Sequence, residues 1–231
     1  TIVFLENRRW GFSDYLKQLQ KETPSAAGTA AAIVMNANPF TLGHLYLVEC
    51  AAAESDLLHL FIVSEDASLF PFAVRERLVC AGTAHLSNIV YHATGSYMIS
   101  QATFPSYFQK DEDAVIRSHA QLDIAVFARI AAALSITRRY VGAEQASHVT
   151  SLYNETILHD LPRDGIECRV IPRKEYGGAP ISASTVRRAI QTGDMELLPA
   201  LLPPTTLDFL QSEESAAIRK KIVEAADVIH Y

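Results

Sequence analysis

The chain has 231 residues, 49% hydrophobic and 20% charged, with a formal net charge of −6 and a pI near 5.7. This is enough apolar material for a sizeable core, in one large domain or one domain with an appendage, and the acidic balance argues against nucleic acid as a partner. No apolar run reaches the ~20 residues that a bilayer span requires, and no signal-peptide pattern opens the chain, so no membrane association is expected.

The first residue is Thr1 rather than methionine, which points to a processed product or a fragment. Residues 1–26 read as an N-terminal arm: Trp10 to Leu19 carries helical periodicity through Phe12, Leu16 and Leu19, and Glu22-Thr23-Pro24-Ser25 reads as a linker. The apolar run Ala30 to Met35 predicts a buried strand. A polar turn with Pro39 follows, then Gly43-His44 and a helical pattern through Leu45, Leu47, Val48, Ala51 and Ala52. A strand feeding a helix through a tight turn presents free N–H groups and the positive end of the helix dipole, a ready site for phosphate. Gly43 would allow close approach and His44 could donate to a phosphate oxygen. Alone, the pattern suits an ordinary strand–helix turn equally well.

Further strands are expected at Leu57 to Val63, Asn88 to His92, Tyr140 to Glu144 and Cys168 to Pro172. A helix from about Ala73 carries Arg75 and Arg77, which either reach back toward the phosphates or lie on the surface paired with Glu76 or Glu65. The segment Ser100 to Asp113, with Phe104, Tyr107 and Phe108, reads as a cover over the sheet edge or as a lid. Ala114 to Leu134 is a strong amphipathic helix, whose His119 is assigned no role. Arg173 to Gly178 reads as a mobile basic loop. Ile181-Ser182-Ala183-Ser184-Thr185-Val186-Arg187-Arg188 places hydroxyls at a helix start with arginines one turn in, a second anion-binding helix end or plain capping. Pro203-Pro204 marks a break before a helical tail, residues 205–231. Cys50, Cys80 and Cys168 fit no disulfide or zinc spacing and are expected to be reduced, mostly buried thiols of a cytoplasmic protein. Strands alternating with helices predict an α/β fold, a mostly parallel five-stranded sheet wound on both faces, over residues 27–204. No GxGxxG fingerprint and no Walker A lysine loop is present.

Taken together, Thr41-Leu42-Gly43-His44 and Ile181-Ser182-Ala183-Ser184-Thr185-Val186-Arg187 resemble the signature pair of the Rossmann-like nucleotidyltransferase superfamily. Asn36-Ala37-Asn38-Pro39-Phe40, Arg138 to Glu144 and Thr150 to Asn154 resemble one of its families, citrate lyase ligase, over roughly residues 30 to 210. The resemblance implies a site in which His44, Thr41 and Arg187 act on the reacting phosphates. Thr41 stands where many relatives have a first histidine, and Met35 where other families have glycine. Asn36, Asn38, Pro39, Phe40, Gly43, Gly142, Glu144, Ser182, Ser184 and Thr185 would bind the nucleotide, with Gly142 and Glu144 near the adenine and ribose. It also implies ATP with Mg²⁺, acetate as the attacking group, and transfer of acetyl to a thiol on the citrate lyase acyl carrier subunit. An acetyltransferase-like domain commonly precedes this region in the family. No metal-ligating side chain is identifiable, the Mg²⁺ being held by substrate and water. Two rivals stay open: an adenylyltransferase using nicotinamide mononucleotide or phosphopantetheine, and a nucleotide-binding or docking module without catalysis.

Overall fold

A computed structural model describes residues 5–7, 9, 11–25, 28–107, 112–144 and 147–228. Trp10, Phe108 and the last three residues of the expected tail lie outside the described residues.

The central sheet follows from apolar runs. Strands β1 (Ala30–Met35), β2 (Leu57–Ile62), β3 (Ile89–Ala93), β4 (Ile136–Gly142) and β5 (Glu167–Ile171) are all parallel, in the order β3-β2-β1-β4-β5. β1 and β2 are covered on both faces, which is why they read as unbroken hydrophobic stretches rather than as alternation. Right-handed crossovers place helices on both sides. α1 (Phe12–Glu22), α4 (Asp113–Ala133) and α5 (His148–Asp160) serve one face, through a core that includes Leu19, Phe61, Phe104 and Phe127. α2 (Leu42–Ala53), α3 (Phe72–Gly82) and α6 (Ala183–Thr192) serve the other, around Ile33, Leu58 and Leu60. The arm is thus a docked helix. A short helix α7 (Leu198–Leu201) precedes the Pro203-Pro204 break, and the tail forms α8 (Pro204–Gln211) and α9 (Ala216–Glu224), whose Phe209, Leu210 and Ile222 join the same core as α6.

The strand order reverses between β1 and β4, and this opens a crevice at the carboxyl ends of those two strands. β4 begins at Ile136, four residues before the expected Tyr140, because two arginines obscure its first half. The segment expected as a mobile loop at 173–178 instead holds a hairpin, β6 (Glu175–Tyr176) with β7 (Ala179–Pro180), turned by Gly177 and Gly178 at positive φ. The cysteines are unbridged and half-buried rather than mostly buried.

Arg75 follows neither expected course. It is fully buried and donates to the carbonyls of Phe70, Asn36, Val63 and Glu65 at 2.6–2.9 Å. It therefore clamps the loop after β1 to the loop after β2. Arg77 is a surface residue, paired with Glu214 at 2.8 Å rather than with Glu76 or Glu65.

Beneath α1 lies a buried histidine pair, His59 Nδ1 against His92 Nε2 at 3.0 Å. Such a contact needs one ring to donate and the other to accept, so the pair is stable when neutral. Burial, and then His92, lowers the His59 pKa to about 4, while burial lowers that of His92 and Glu22 partly offsets it. Unfolded histidine takes up a proton near pH 6.5 whereas folded His59 does so near 4, so stability is complete above 6.5 and is lost as pH falls toward 4. Urea unfolding at pH 7.5 and pH 5 should differ by about 2 kcal/mol on account of His59, and His59→Phe should flatten that slope.

Candidate active site

The first motif is built by a capping box. Thr41 is the N-cap of α2. The His44 backbone N–H donates to Thr41 Oγ1 at 3.3 Å, and the Thr41 backbone N–H donates to His44 Nδ1 at 3.1 Å. Because Nδ1 accepts, the imidazole proton sits on Nε2, the nitrogen across the ring from the cap. The His44 pKa is lowered to about 4 by burial and by the Arg173 and Arg187 charges, so the ring is a neutral donor at pH 7. Thr41 is buried and its hydroxyl sits 2.9 Å from Nδ1, so this residue orients His44 rather than facing a ligand with a free hydroxyl.

Ser182 caps α6, accepting from the Thr185 N–H at 3.1 Å, and its hydroxyl also contacts Ser184 Oγ and Thr185 Oγ1, each at 2.8 Å. The two helix starts meet. A Cβ on Gly43 would stand 2.7 Å from the Ile181 carbonyl oxygen, which is backbone and cannot swing away. Gly43→Ala should therefore push α2 and α6 apart and cost about 1–3 kcal/mol of stability, read by urea unfolding. Arg187 is buried. Its Nε donates to the Val228 carbonyl at 2.6 Å and its Nη1 to the Asn38 carbonyl, and burial lowers its pKa to about 10, which leaves it charged.

These groups line a cleft of about 650 Å³ at the sheet's switch point. Asn36, Asn38, Thr41, Gly43, His44, Gly142, Glu144, Ser182, Ser184 and Arg187 all face it. Three expected nucleotide contacts do not line it. Phe40 is fully buried and packs against Gly82, where an added Cβ would strike its ring at 2.5 Å. Pro39 lies behind the lining, and the Thr185 hydroxyl is engaged by Ser182. The Asn38 side chain accepts from the Phe70 N–H at 3.0 Å and so holds the loop. Glu144 pairs with Arg173 and accepts from the Ser147 N–H at 3.0 Å, leading into α5.

Some lining residues were not anticipated. Ser147 caps α5 and accepts from the Thr150 N–H, so a third helix start opens on the cleft; the Ser-x-x-Thr spacing was its signal. Tyr107, from the short 3₁₀ turn Pro105–Tyr107, hydrogen-bonds Asn36, and burial raises its pKa. The aromatic segment thus divides its work. Phe104 packs in the core against Tyr153 at 4.9 Å while Tyr107 faces the cleft. Arg139 also lines it.

Residues 30–210 match the family model described as citrate lyase ligase C-terminal domain. The citrate (pro-3S)-lyase ligase of Klebsiella pneumoniae is 42% identical over 213 residues, covering 90% of this chain and 62% of that protein. The ligase of the same name from Escherichia coli (strain K12) is 38% identical over 231 residues, covering 95% and 65%. This chain therefore spans less than two thirds of the length of these curated relatives. Among solved structures, a bifunctional NMN adenylyltransferase/ADP ribose pyrophosphatase from Francisella tularensis, complexed with AMP and a manganese ion, superposes with a TM-score of 0.50 at 13% identity. It covers 85% of this chain and 52% of that one. Pantoate-beta-alanine ligase from the same organism gives 0.50 at 12% identity, covering 90% and 82%. At such identities the likeness concerns the fold, which is that of the Rossmann-like nucleotidyltransferases.

Proposed function

Because this chain belongs to the citrate lyase ligase C-terminal domain family, we propose that it is the adenylating part of an ATP-dependent ligase. It joins acetate to AMP with release of pyrophosphate. The acetyl group then passes to the thiol of the prosthetic group on the citrate lyase acyl carrier subunit, which switches that enzyme on. The observation that carries the reading is the contact of two capped helix starts at Gly43 and Ile181, with a neutral His44 and a charged Arg187 beside them.

In this mechanism the acetate oxygen attacks the α-phosphorus in line with the leaving pyrophosphate. The α2 N–H groups and His44 Nε2–H donate to oxygens whose charge grows as the bond breaks. Ser182, Ser184 and Arg187 hold the β- and γ-phosphates, and Thr41 keeps His44 in the donating tautomer. Gly142 sits at the strand end where the adenine and ribose would lie. An added Cβ there meets nothing within 4 Å, so room for a base is present. Among the described residues no cluster of three His, Cys, Asp or Glu side chains could hold a metal. The Mg²⁺ would come bound to the phosphates of the ATP substrate.

No helix among the described residues is long and apolar enough to cross a membrane. With three unbridged cysteines, a reducing cytoplasmic setting is the one we assign.

The test is pyrophosphate release from MgATP with acetate, nicotinamide mononucleotide or phosphopantetheine offered in parallel, hydroxylamine being added to trap an acyl-adenylate. Acetate-dependent release with acetyl-hydroxamate is the expected result. Release with another acceptor alone would replace this reading with a different adenylyltransferase.

A further inference from the structure

The phosphate-binding groups account for one side of the cleft. The other side, across the sheet, is lined by Val34, Ile99, Tyr107, Ile116, Arg139 and Val141. Among these apolar walls the charged residue is Arg139. Alternation along β4 sends it to the α4–α5 face, opposite Arg138 and Tyr140.

Arg139 is 2% exposed. Its guanidinium carbon lies 4.2 Å from the Phe127 ring centroid and 5.7 Å from that of Tyr153, so the group is held against two aromatic rings. Its orientation is fixed further by a relay. Nη2 donates to the Tyr153 hydroxyl at 3.2 Å, and that hydroxyl donates to Asp123 Oδ2 at 2.6 Å. Asp123 Oδ1 is held by the Ile99 N–H at 2.6 Å and the Thr103 hydroxyl at 2.8 Å.

The in-plane edges are a different matter. Nε and Nη1 are buried and have no hydrogen-bond partner among the described residues. A guanidinium has five N–H bonds, and leaving buried donors unmade is costly, so such a group in a cleft wall calls for an acceptor. Nη2 gives only one of its two hydrogens to Tyr153. Whichever remains lies beside either Nε–H or an Nη1–H, so a two-pronged edge is unpaired in either case. A planar anion with two oxygens matches that edge, and a carboxylate is the form that also tolerates apolar walls on its other side.

We propose that Arg139 is the receptor for the carboxylate of the substrate acid, a short aliphatic one whose alkyl end lies against Ile99, Ile116 and Val141. This rests on the acyl-adenylation reading above and names the residue that would select the acid. One carboxylate oxygen forms the new O–P bond to the α-phosphorus while the bond from that phosphorus to the bridging oxygen breaks. The electron pair leaves with pyrophosphate, and no proton transfer is required because the acid is already ionised. Arg139 would hold the anion in place by paired hydrogen bonds.

The first arm of the test uses this chain with the non-hydrolysable α,β-methylene analogue of ATP. Acetate is titrated while the ¹⁵N–¹H signal of Arg139 Nε, assigned by its loss in Arg139→Lys, is followed by NMR. The second arm measures acetate-dependent exchange of labelled pyrophosphate into ATP. We expect a saturable shift of the Arg139 signal. In Arg139→Gln we expect a KM for acetate raised roughly 30-fold or more, with partial recovery in Arg139→Lys and a KM for ATP within about threefold of the original. A signal that ignores acetate overturns the proposal, and so does a folded Arg139→Gln with an unchanged KM for acetate. If the unsubstituted chain exchanges pyrophosphate only with a different acceptor, the acyl-adenylation reading fails. The titration then decides Arg139 alone, a shift with acetate upholding a carboxylate site and its absence removing it.

Discussion

His44→Ala should lower the rate of pyrophosphate release by roughly 10²–10³-fold while changing the KM for ATP by less than about threefold. The asymmetry follows from where the ring sits. Its Nδ1 is spent on the Thr41 N–H, so only Nε2–H is available to a ligand. With a pKa lowered to about 4 the ring brings no positive charge to the free enzyme at pH 7. A neutral donor would add little to the binding of a polyphosphate if, as proposed, two helix ends and Arg187 hold it. It gains strength when charge builds on the phosphate oxygens during bond breaking. His44→Asn should recover part of the rate, since an amide can donate. Equal losses in turnover and ATP affinity would mean that His44 works in binding only. Steady-state kinetics over a range of ATP concentrations decides between the two.

Arg75→Met should cost roughly 3–5 kcal/mol of stability. The substitution preserves most of the side-chain volume, so packing is not the main term. What is lost is the set of donors to four carbonyls, those of Phe70, Asn36, Val63 and Glu65. Those oxygens belong to two loops, and the buried pair on Phe70 and Val63 would be left without this donor. Because one of them is Asn36, at the start of the first motif, a surviving Arg75→Met protein should also bind ATP more weakly. Arg75→Lys should fall between, since one ammonium cannot span carbonyls that a planar fork reaches together. Urea unfolding with an unchanged m-value would measure the stability loss. A loss below 1 kcal/mol would mean that the carbonyls find other donors.

The sheet was legible because parallel strands covered on both faces must be apolar throughout, as in Ala30–Met35 and Leu57–Ile62. The motif pair was legible for a related reason, since caps are local. Thr41 with His44, and Ser182 with Thr185, sit three residues apart. What escaped were residues whose work is done across long sequence distance. Arg138 and Arg139 look alike in the chain. One pairs with Glu167 at the surface, the other is enclosed by Phe127 and Tyr153, and nothing in a run of two arginines says which. Arg75 and Arg77 pose the same problem two positions apart on one helix. Phe40 was misread in the opposite sense. Its neighbours in the motif line the cleft, yet its own ring turns into the core beside Gly82. The hairpin at 175–180 did carry a signal in Gly177-Gly178, but with only two residues in each strand it offered no alternation to read.

The hydrogen bonds of Arg187 have a consequence for how the protein is made. This side chain ties the Asn38 carbonyl, in the loop after the first strand, to the Val228 carbonyl near the far end of the chain. A ribosome delivers Asn38 and Arg187 before Val228, so every signature residue can emerge while the site still lacks one anchor. A chain ending just before Val228 should therefore keep its folded sheet but bind nucleotide poorly, read by nucleotide titration beside thermal unfolding. A change of sequence close behind Val228 would act on the cleft through Arg187.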